Sequence, residues 1–385
     1  MKKIGIITVS KTYNFGAELQ AFALQKKLCL MGYQAEIIDY LYFKNSKYKF
    51  TKSAKPLFKF SKTQIIKEYI LYRILSPVYD LIMPQIFPRL KRKMYNFNYF
   101  NTEVSKFSKT YKSFDELYSA QMPYDVYIAG SDQLWNPNTG TSLKPYFLTF
   151  APNNRKKLSY ASSFGVSMIN PEQNSIYREL LNNLDFISAR EKQGVKLAEM
   201  LTGKRVTQVL DPTLLLNKED WSNLVSLNNF KFKNYILIYQ LSDSNTIISL
   251  ANFIKDKTGM PIYRITKNPF FNSKDANITN ITDAGPREFI SYFLNASFII
   301  TNSFHGTAFS VNFKIPFTAI LSKKRKNNSR IESFLETTNL YNRLLYEEDN
   351  NKFNELSLVV DFNNSSRLLN EEIIKSIEFL QKSIN

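Results

Sequence analysis

The chain has 385 residues, a net charge of +18, 44% apolar and 22% charged residues, which is ordinary globular usage, excludes wholesale disorder and suggests two domains. A single cysteine, Cys29, excludes an intramolecular disulfide and a four-cysteine zinc site, and a single histidine, His305, excludes any histidine cluster. Chemistry is left to Asp, Glu, Lys, Arg, Tyr, Asn, Ser and that one imidazole, and the basicity points to an anionic partner.

Residues 1–10 are too short for a signal peptide and read as a strand over 3–9. A helix is expected over 16–31, where Leu19, Phe22, Ala23, Lys26 and Leu30 recur three and four apart, then a strand over 34–39. Residues 41–113 stand out, with 16 lysines and arginines against 3 acidic residues, a net of +13. Within them, 65–87 are rich in apolar side chains but interrupted by Pro77 and Pro84, so two short amphipathic helices are expected between basic flanks at 44–62 and 89–93. This insertion reads either as a helical cap with a solvated basic face or as a contact with an anionic membrane surface. Nucleic acid is not expected, because no recognised motif accompanies the charge. No run of 18 clean apolar residues exists, so no transmembrane helix is expected and a cytoplasmic location follows, with the inner membrane face as a place of association.

Beyond the insertion, strands are expected at 125–129, 157–161, 185–188, 206–210, 235–240, 261–265, 298–301 and 317–321, with helices at 171–183, 191–201, 246–257, 287–295 and 371–382. Strand–helix alternation means parallel sheets covered on both faces. The expected fold class is α/β with two Rossmann-like domains: 1–188, containing the basic insertion, and 189–360, followed by a helix over 361–385 that packs on the first domain.

Ligands of open parallel sheets bind at the carboxyl ends of strands, and the polar motifs fall there. His305 follows a strand and opens a helix between Asn302-Ser303 and Gly306-Thr307, where an imidazole can donate to a phosphate or act as a general acid. Arg190 either pairs with a nearby carboxylate such as Glu191 or offers its fork to a bound anion. Asp132 is either an acid–base group or a turn former, and Asp211 before Pro212 is most simply a cap. The turn at Asn14 and Gly16 lacks the full dinucleotide fingerprint, so nicotinamide is not expected. The run Lys323-Lys324-Arg325-Lys326 is a solvated loop or a cover for an anion.

Taken in order, Tyr13-Asn14-Phe15-Gly16-Ala17-Glu18-Leu19-Gln20-Ala21, Gly130-Ser131-Asp132-Gln133-Leu134-Trp135-Asn136-Pro137, Ser159-Tyr160-Ala161-Ser162-Ser163-Phe164-Gly165, Ser188-Ala189-Arg190-Glu191, Leu210-Asp211-Pro212-Thr213-Leu214 and Thr301-Asn302-Ser303-Phe304-His305-Gly306-Thr307-Ala308-Phe309-Ser310 resemble the polysaccharide pyruvyl transferase family. The resemblance covers 1–40 and about 120–340. It implies a GT-B-like pair of domains with a central cleft, phosphoenolpyruvate as donor, and a saccharide acceptor on a surface polysaccharide or its lipid-linked precursor, joined as a pyruvate ketal. Donor binding is implied at Arg190, Ser303, Phe304, His305 and Gly306, with Asn14, Gly16, Ser131 and Asp211 as further substrate-binding positions. Many members carry Arg-Leu-His where this chain has Ser303-Phe304-His305, and Arg325 is expected to supply the missing charge. His305 is the expected acid, and Asp132 or Glu18 the expected base. No metal or cofactor is expected. The alternatives are a GT-B glycosyltransferase using a nucleotide sugar, with Glu332 or Glu336 on the ribose, and a non-enzymatic nucleic-acid or membrane-binding module.

Overall fold

The structure, a computed structural model, describes residues 1–57, 66–67, 70–139, 141–225, 230–266, 277–324, 328–349, 353 and 356–385, without the side chains of Tyr72 and Arg73. The expected roles of Arg325, Lys326 and residues 58–65 lie outside the described residues. The chain divides into two units: Met1–Pro88, Phe97–Leu215 and Ile374–Asn385 form the first, Arg89–Asn96 and Leu216–Ile373 the second.

In the first unit, β1 (Lys3–Ile7) leads to α1 (Phe15–Leu30) and β2 (Gln34–Ile37). Next come α2 (Ser76–Ile86), α3 (Pro88–Tyr99), whose first part belongs to the second unit, and α4 (Phe114–Tyr118). Then follow β3 (Val126–Ala129), β4 (Lys156–Ser159), α5 (Asn174–Asn182), β5 (Ser188–Ala189), α6 (Lys192–Thr202) and β6 (Thr207–Gln208). The central strands β1 and β3 are short, apolar and buried on both faces except at Lys3, as parallel strands under helices must be. All pair parallel in the order β2-β1-β3-β4, and β5-β6 attaches beside β4 through bridges Leu158–Phe186 and Ser162–Ala189. Chain direction across the sheet reverses between β1 and β3.

The second unit runs α7 (Lys218–Leu224), β7 (Ile236–Tyr239), α8 (Asn245–Thr258), β8 (Ile262–Ile265), β9 (Ile278–Ile281), α9 (Pro286–Asn295) and β10 (Phe298–Thr301). It continues through α10 (Phe304–Phe313), β11 (Phe317–Leu321), α11 (Ser329–Thr337) and β12 (Leu344–Tyr346) into α12 (Asn363–Ile384), whose end returns to the first unit. Its sheet is parallel throughout, in the order β12-β11-β10-β7-β8-β9. Counted from β7 this is the doubly wound order 3-2-1-4-5-6, reversing between β7 and β10.

Three expectations change. The unit boundary falls after Leu215, not at 188, because β5 and β6 pair onto the first sheet and Val209 and Leu215 join the core of Ile4, Ile6 and Ile128. The main helices of the insertion lie between Ile70 and Val104; residues 105–113 run extended beside β2, bridging Ile37 to Phe107 and Tyr40 to Tyr111. Lys93, read as part of a basic flank, is buried on the same stripe of α3 as Leu90, and its Nζ donates to the Thr266 carbonyl at 3.4 Å.

At the other end of the chain, Leu380 and Ile384 of α12 enter the first unit's core. The Leu210 N–H donates to Ser376 Oγ at 3.0 Å, and Lys2 and Lys156 donate to the Ile384 carbonyl at 2.7 and 3.4 Å. Cations at that position suit the negative end of the helix dipole.

Candidate functional site

Each sheet's switch point gathers the polar residues singled out above. In the first unit, the β1–α1 loop contains two non-glycine residues in the left-handed region, Lys11 (φ 55°) and Tyr13 (φ 52°). Such conformations cost energy and persist where surrounding contacts impose them. Asn14 caps α1 by accepting the Gly16 N–H at 3.1 Å, so these two candidate substrate-binding residues bind each other. Glu18, in the first turn of α1, is fully buried and accepts the Thr12 N–H at 2.9 Å. Burial pushes its carboxyl up to about 7, against the opposing pull of the Thr12 and Lys11 N–H groups, the Lys11 charge and Asn101. Two buried polar atoms close to this carboxyl, Thr12 Oγ1 and Asn101 Oδ1, have no hydrogen-bond partner among the described residues. Asn101 comes from the insertion, and no sequence signal pointed to it.

Across the switch point, Thr8 Oγ1 donates to the Ser131 carbonyl at 2.9 Å and itself accepts from Gln20 Nε2 at 2.9 Å. Asp132 holds a left-handed φ of 78°, and its carbonyl accepts the N–H groups of Leu134 and Ser163 at 2.8 and 2.9 Å. Its half-buried carboxylate acts on Arg190 through charge.

Arg190 resolves in favour of the paired reading. Its Nε donates to Glu191 Oε1 at 2.9 Å and its Nη1 to Asp211 Oδ2 at 2.7 Å, with Ser131 Oγ at 3.4 Å. The side chain is 2% exposed. Burial alone would lower its pKa, but Glu191, Asp211 and Asp132 together raise it above the ordinary arginine value. Asp211 also caps the turn that follows, accepting from Thr213 N and Oγ1 at 3.1 and 2.7 Å, and takes the Ser131 hydroxyl at 2.9 Å. Arg190, Ser131 and Asp211 therefore form one interior network behind the Asp132 turn. Two of its nitrogens, Nε and Nη1, are thus engaged by the carboxylates of Glu191 and Asp211.

In the second unit, Asn302 joins the loops that follow β7 and β10. Its Oδ1 accepts the Leu241 N–H at 2.7 Å, and its Nδ2 donates to the Ser242 carbonyl and hydroxyl at 2.9 and 3.1 Å. Thr301 Oγ1 fastens β10 to β7 by donating to the Tyr239 carbonyl at 2.6 Å. Ser303 is the N-cap of α10, accepting from Gly306 N at 3.4 Å. Gly306 is there for space: a Cβ at that position would lie 2.2 Å from Thr301 Oγ1. Phe304 is buried edge-on to Phe334, and the half-buried His305 ring lies edge-on to Phe304, with centroids 5.4 Å apart. A single imidazole in the first turn of a ten-residue helix sits at the positive end of the helix dipole. Asn302 and Ser242 belong to this site although only the motif around Asn302 drew attention in the sequence. Of the basic run after β11, Lys323 donates its N–H to Glu348 and its Nζ to Asp349 at 3.3 Å. Glu332 accepts the Tyr346 hydroxyl at 2.7 Å.

A family model described as polysaccharide pyruvyl transferase matches residues 14–324. No curated protein matches. Among solved structures, the chain is similar to UGT89C1 of Arabidopsis thaliana complexed with quercetin, at 11% identity over 100% of this chain and 99% of that one, with a TM-score of 0.50. It also matches the Methanocaldococcus jannaschii UDP-GlcNAc 2-epimerase, at 12% identity over 96% and 99% of the chains with a TM-score of 0.47. The S. aureus MnaA–UDP structure matches at 13% identity over 98% of both chains, with a TM-score of 0.48. The first likeness is one of fold, the GT-B class with its two Rossmann-like units.

Proposed function

The chain belongs to the polysaccharide pyruvyl transferase family, and on that premise we propose that it takes pyruvate from phosphoenolpyruvate and joins it as a ketal to two hydroxyls of a saccharide. The acceptor is a surface polysaccharide or its lipid-linked precursor, met at the inner face of the membrane. The observation that carries the donor assignment is the β7–β10 switch point, where Asn302 ties two strand-end loops together beside the Ser303–His305 turn of α10. A carboxylate and a phosphate both suit a helix N-terminus with an imidazole in its first turn.

The reaction balances without an external reductant or oxidant. The enol methylene takes a proton, one hydroxyl attacks C2 and loses its proton, phosphate leaves, and the second hydroxyl closes the ketal with loss of its own proton. His305 protonates or hydrogen-bonds the departing phosphate. Glu18 and Asp132 are the candidate bases for the hydroxyls. Arg190 acts as a positioning residue, holding the Ser131–Asp132 turn in place, rather than as a donor ligand.

Scanning calorimetry with millimolar phosphoenolpyruvate tests the reading. A ligand that binds only the folded state stabilises it by about 2.7 kcal/mol at 100 times its dissociation constant. A raised midpoint that His305→Ala removes is the expected result. A midpoint raised instead by a nucleotide sugar would replace this reading with glycosyl transfer.

A further inference from the structure

The exposed surface of α2 is apolar where a soluble helix is ordinarily polar. Its half-buried or buried positions, Ser76, Pro77, Asp80, Met83 and Pro84, recur three and four apart and form the face turned to the protein. The opposite face presents Val78, Leu81, Ile82 and Ile86, which are 52%, 72%, 47% and 60% exposed, together with exposed Tyr79 and Gln85. The π-helical turns just before it, Ile70–Leu75, add Leu71, Ile74 and Leu75, also exposed. A contiguous apolar surface of this kind marks an interaction site rather than a solvated face.

The charge of the segment that carries it selects the partner. Residues 41–113 carry a net +13, and Lys44, Lys47, Lys49, Lys52 and Lys55 are all exposed. In sequence the apolar stretch is bracketed by exposed Lys67 and by exposed Arg89 and Lys91. Pairing this surface with a second copy would bring two such basic segments together, and protein interfaces exclude charge from their centres. An anionic bilayer answers both features, taking the apolar side chains into its headgroup–acyl boundary and the lysines against its surface. With 11 residues, α2 is only about 16 Å long and cannot span the hydrocarbon core, and no helix among the described residues is long and apolar enough to do so.

We infer that α2 and the turns before it form an interfacial element that docks the protein on an anionic membrane surface. This deepens the lipid-linked-acceptor reading above, yet it is measured without turnover.

Co-sedimentation of the full chain with phosphatidylglycerol-containing vesicles should recover it in the pellet, less at high salt and not with pure phosphatidylcholine. Leu81→Gln with Ile86→Gln should weaken partitioning at least about tenfold. Arg89→Gln with Lys91→Gln should cost roughly fivefold per charge. All four side chains are exposed, so the thermal midpoint should stay unchanged, and so should its response to phosphoenolpyruvate. Loss of that response with vesicle binding intact would sink the donor assignment and leave the docking surface standing. Equal recovery in the supernatant under every condition overturns the docking proposal, as does equal binding to neutral vesicles. Concentration-dependent dimerisation that Leu81→Gln with Ile86→Gln abolishes, without vesicle binding, would assign the face to a second copy and overturn it too.

Discussion

At the scale of single residues, two charged groups of the first unit, Arg190 and Glu18, behave in opposite ways. Arg190 sits inside a cluster of Glu191, Asp211 and Asp132, and its removal leaves carboxylates buried without their cation. Breaking one side of such a cluster typically costs 3–5 kcal/mol. Arg190→Ala should therefore lower stability by about that amount, and Arg190→Lys should restore only part of it, because an ammonium cannot keep both Nε and Nη1 contacts. Urea unfolding measures this; an unchanged midpoint would return Arg190 to the list of donor ligands. Glu18 carries the reverse strain, since burial holds its carboxyl up to about 7 instead of the usual 4.5. Its stabilising contribution is fully present below the unfolded value and is lost as pH rises through that window, a change of about 3 kcal/mol. Glu18→Gln should flatten the dependence, leaving the variant more stable than the parent at pH 8 and equal to it near pH 4. If Glu18 is the base, turnover of the parent rises with pH through about 7 and the variant loses about 100- to 10,000-fold. A variant with the parent's turnover and pH profile would remove Glu18 from the chemistry. Loss of turnover at an unchanged pH profile would make Asp132 the better base.

At the scale of elements, the switch points are more readily tested through the ties that hold them than through their ligands. Asn302 makes three hydrogen bonds to the β7–α8 loop, and no other residue type offers that combination of acceptor and donors at that length. Asn302→Asp keeps the acceptor for Leu241 N but sets a carboxylate against the Ser242 carbonyl. It should cost about 1–3 kcal/mol and weaken phosphoenolpyruvate binding, read as a smaller donor-induced midpoint shift. An undiminished shift would mean that the two loops do not cradle the donor. The central strands Lys3–Ile7, Val126–Ala129, Ile236–Tyr239 and Phe298–Thr301 were legible in the sequence because buried parallel strands are apolar runs, whereas the edge strands Ile278–Ile281 and Leu344–Tyr346 were not. Choices made in three dimensions were not legible. Nothing local says that Arg190 will find Asp211, or that Asn101 will approach Glu18 from the insertion. Lys93 was read by composition, whereas its place on the stripe of α3 turned it inward. Residues 105–113 were assigned to a helical insertion, yet Phe107 and Tyr111 pair along β2, because an edge strand takes hydrogen bonds from any extended neighbour.

At the scale of the whole molecule, the two units have separate cores, and each contains one of the chain's two tryptophans, both fully buried. Trp135 stacks on Phe147 in the first unit, and Trp221 packs edge-on to Phe309 in the second. The first unit's core is closed by residues far apart in sequence, since Leu380 and Ile384 of α12 pack with Ile4, Ile6, Leu24 and Leu28. Leu380→Ala removes a fully buried side chain there, and a leucine truncation of this kind typically costs 2–5 kcal/mol through lost burial and the cavity left behind. The loss belongs to one unit, so it should be visible to one reporter. In a Trp221→Phe background, where Trp135 alone fluoresces, Leu380→Ala should move the unfolding midpoint to lower denaturant. In a Trp135→Phe background, where Trp221 reports the second unit, it should leave the midpoint in place. Equal shifts on both reporters would mean that the units unfold as one cooperative body, and that α12, which begins in the second and ends in the first, couples them strongly enough to share any loss.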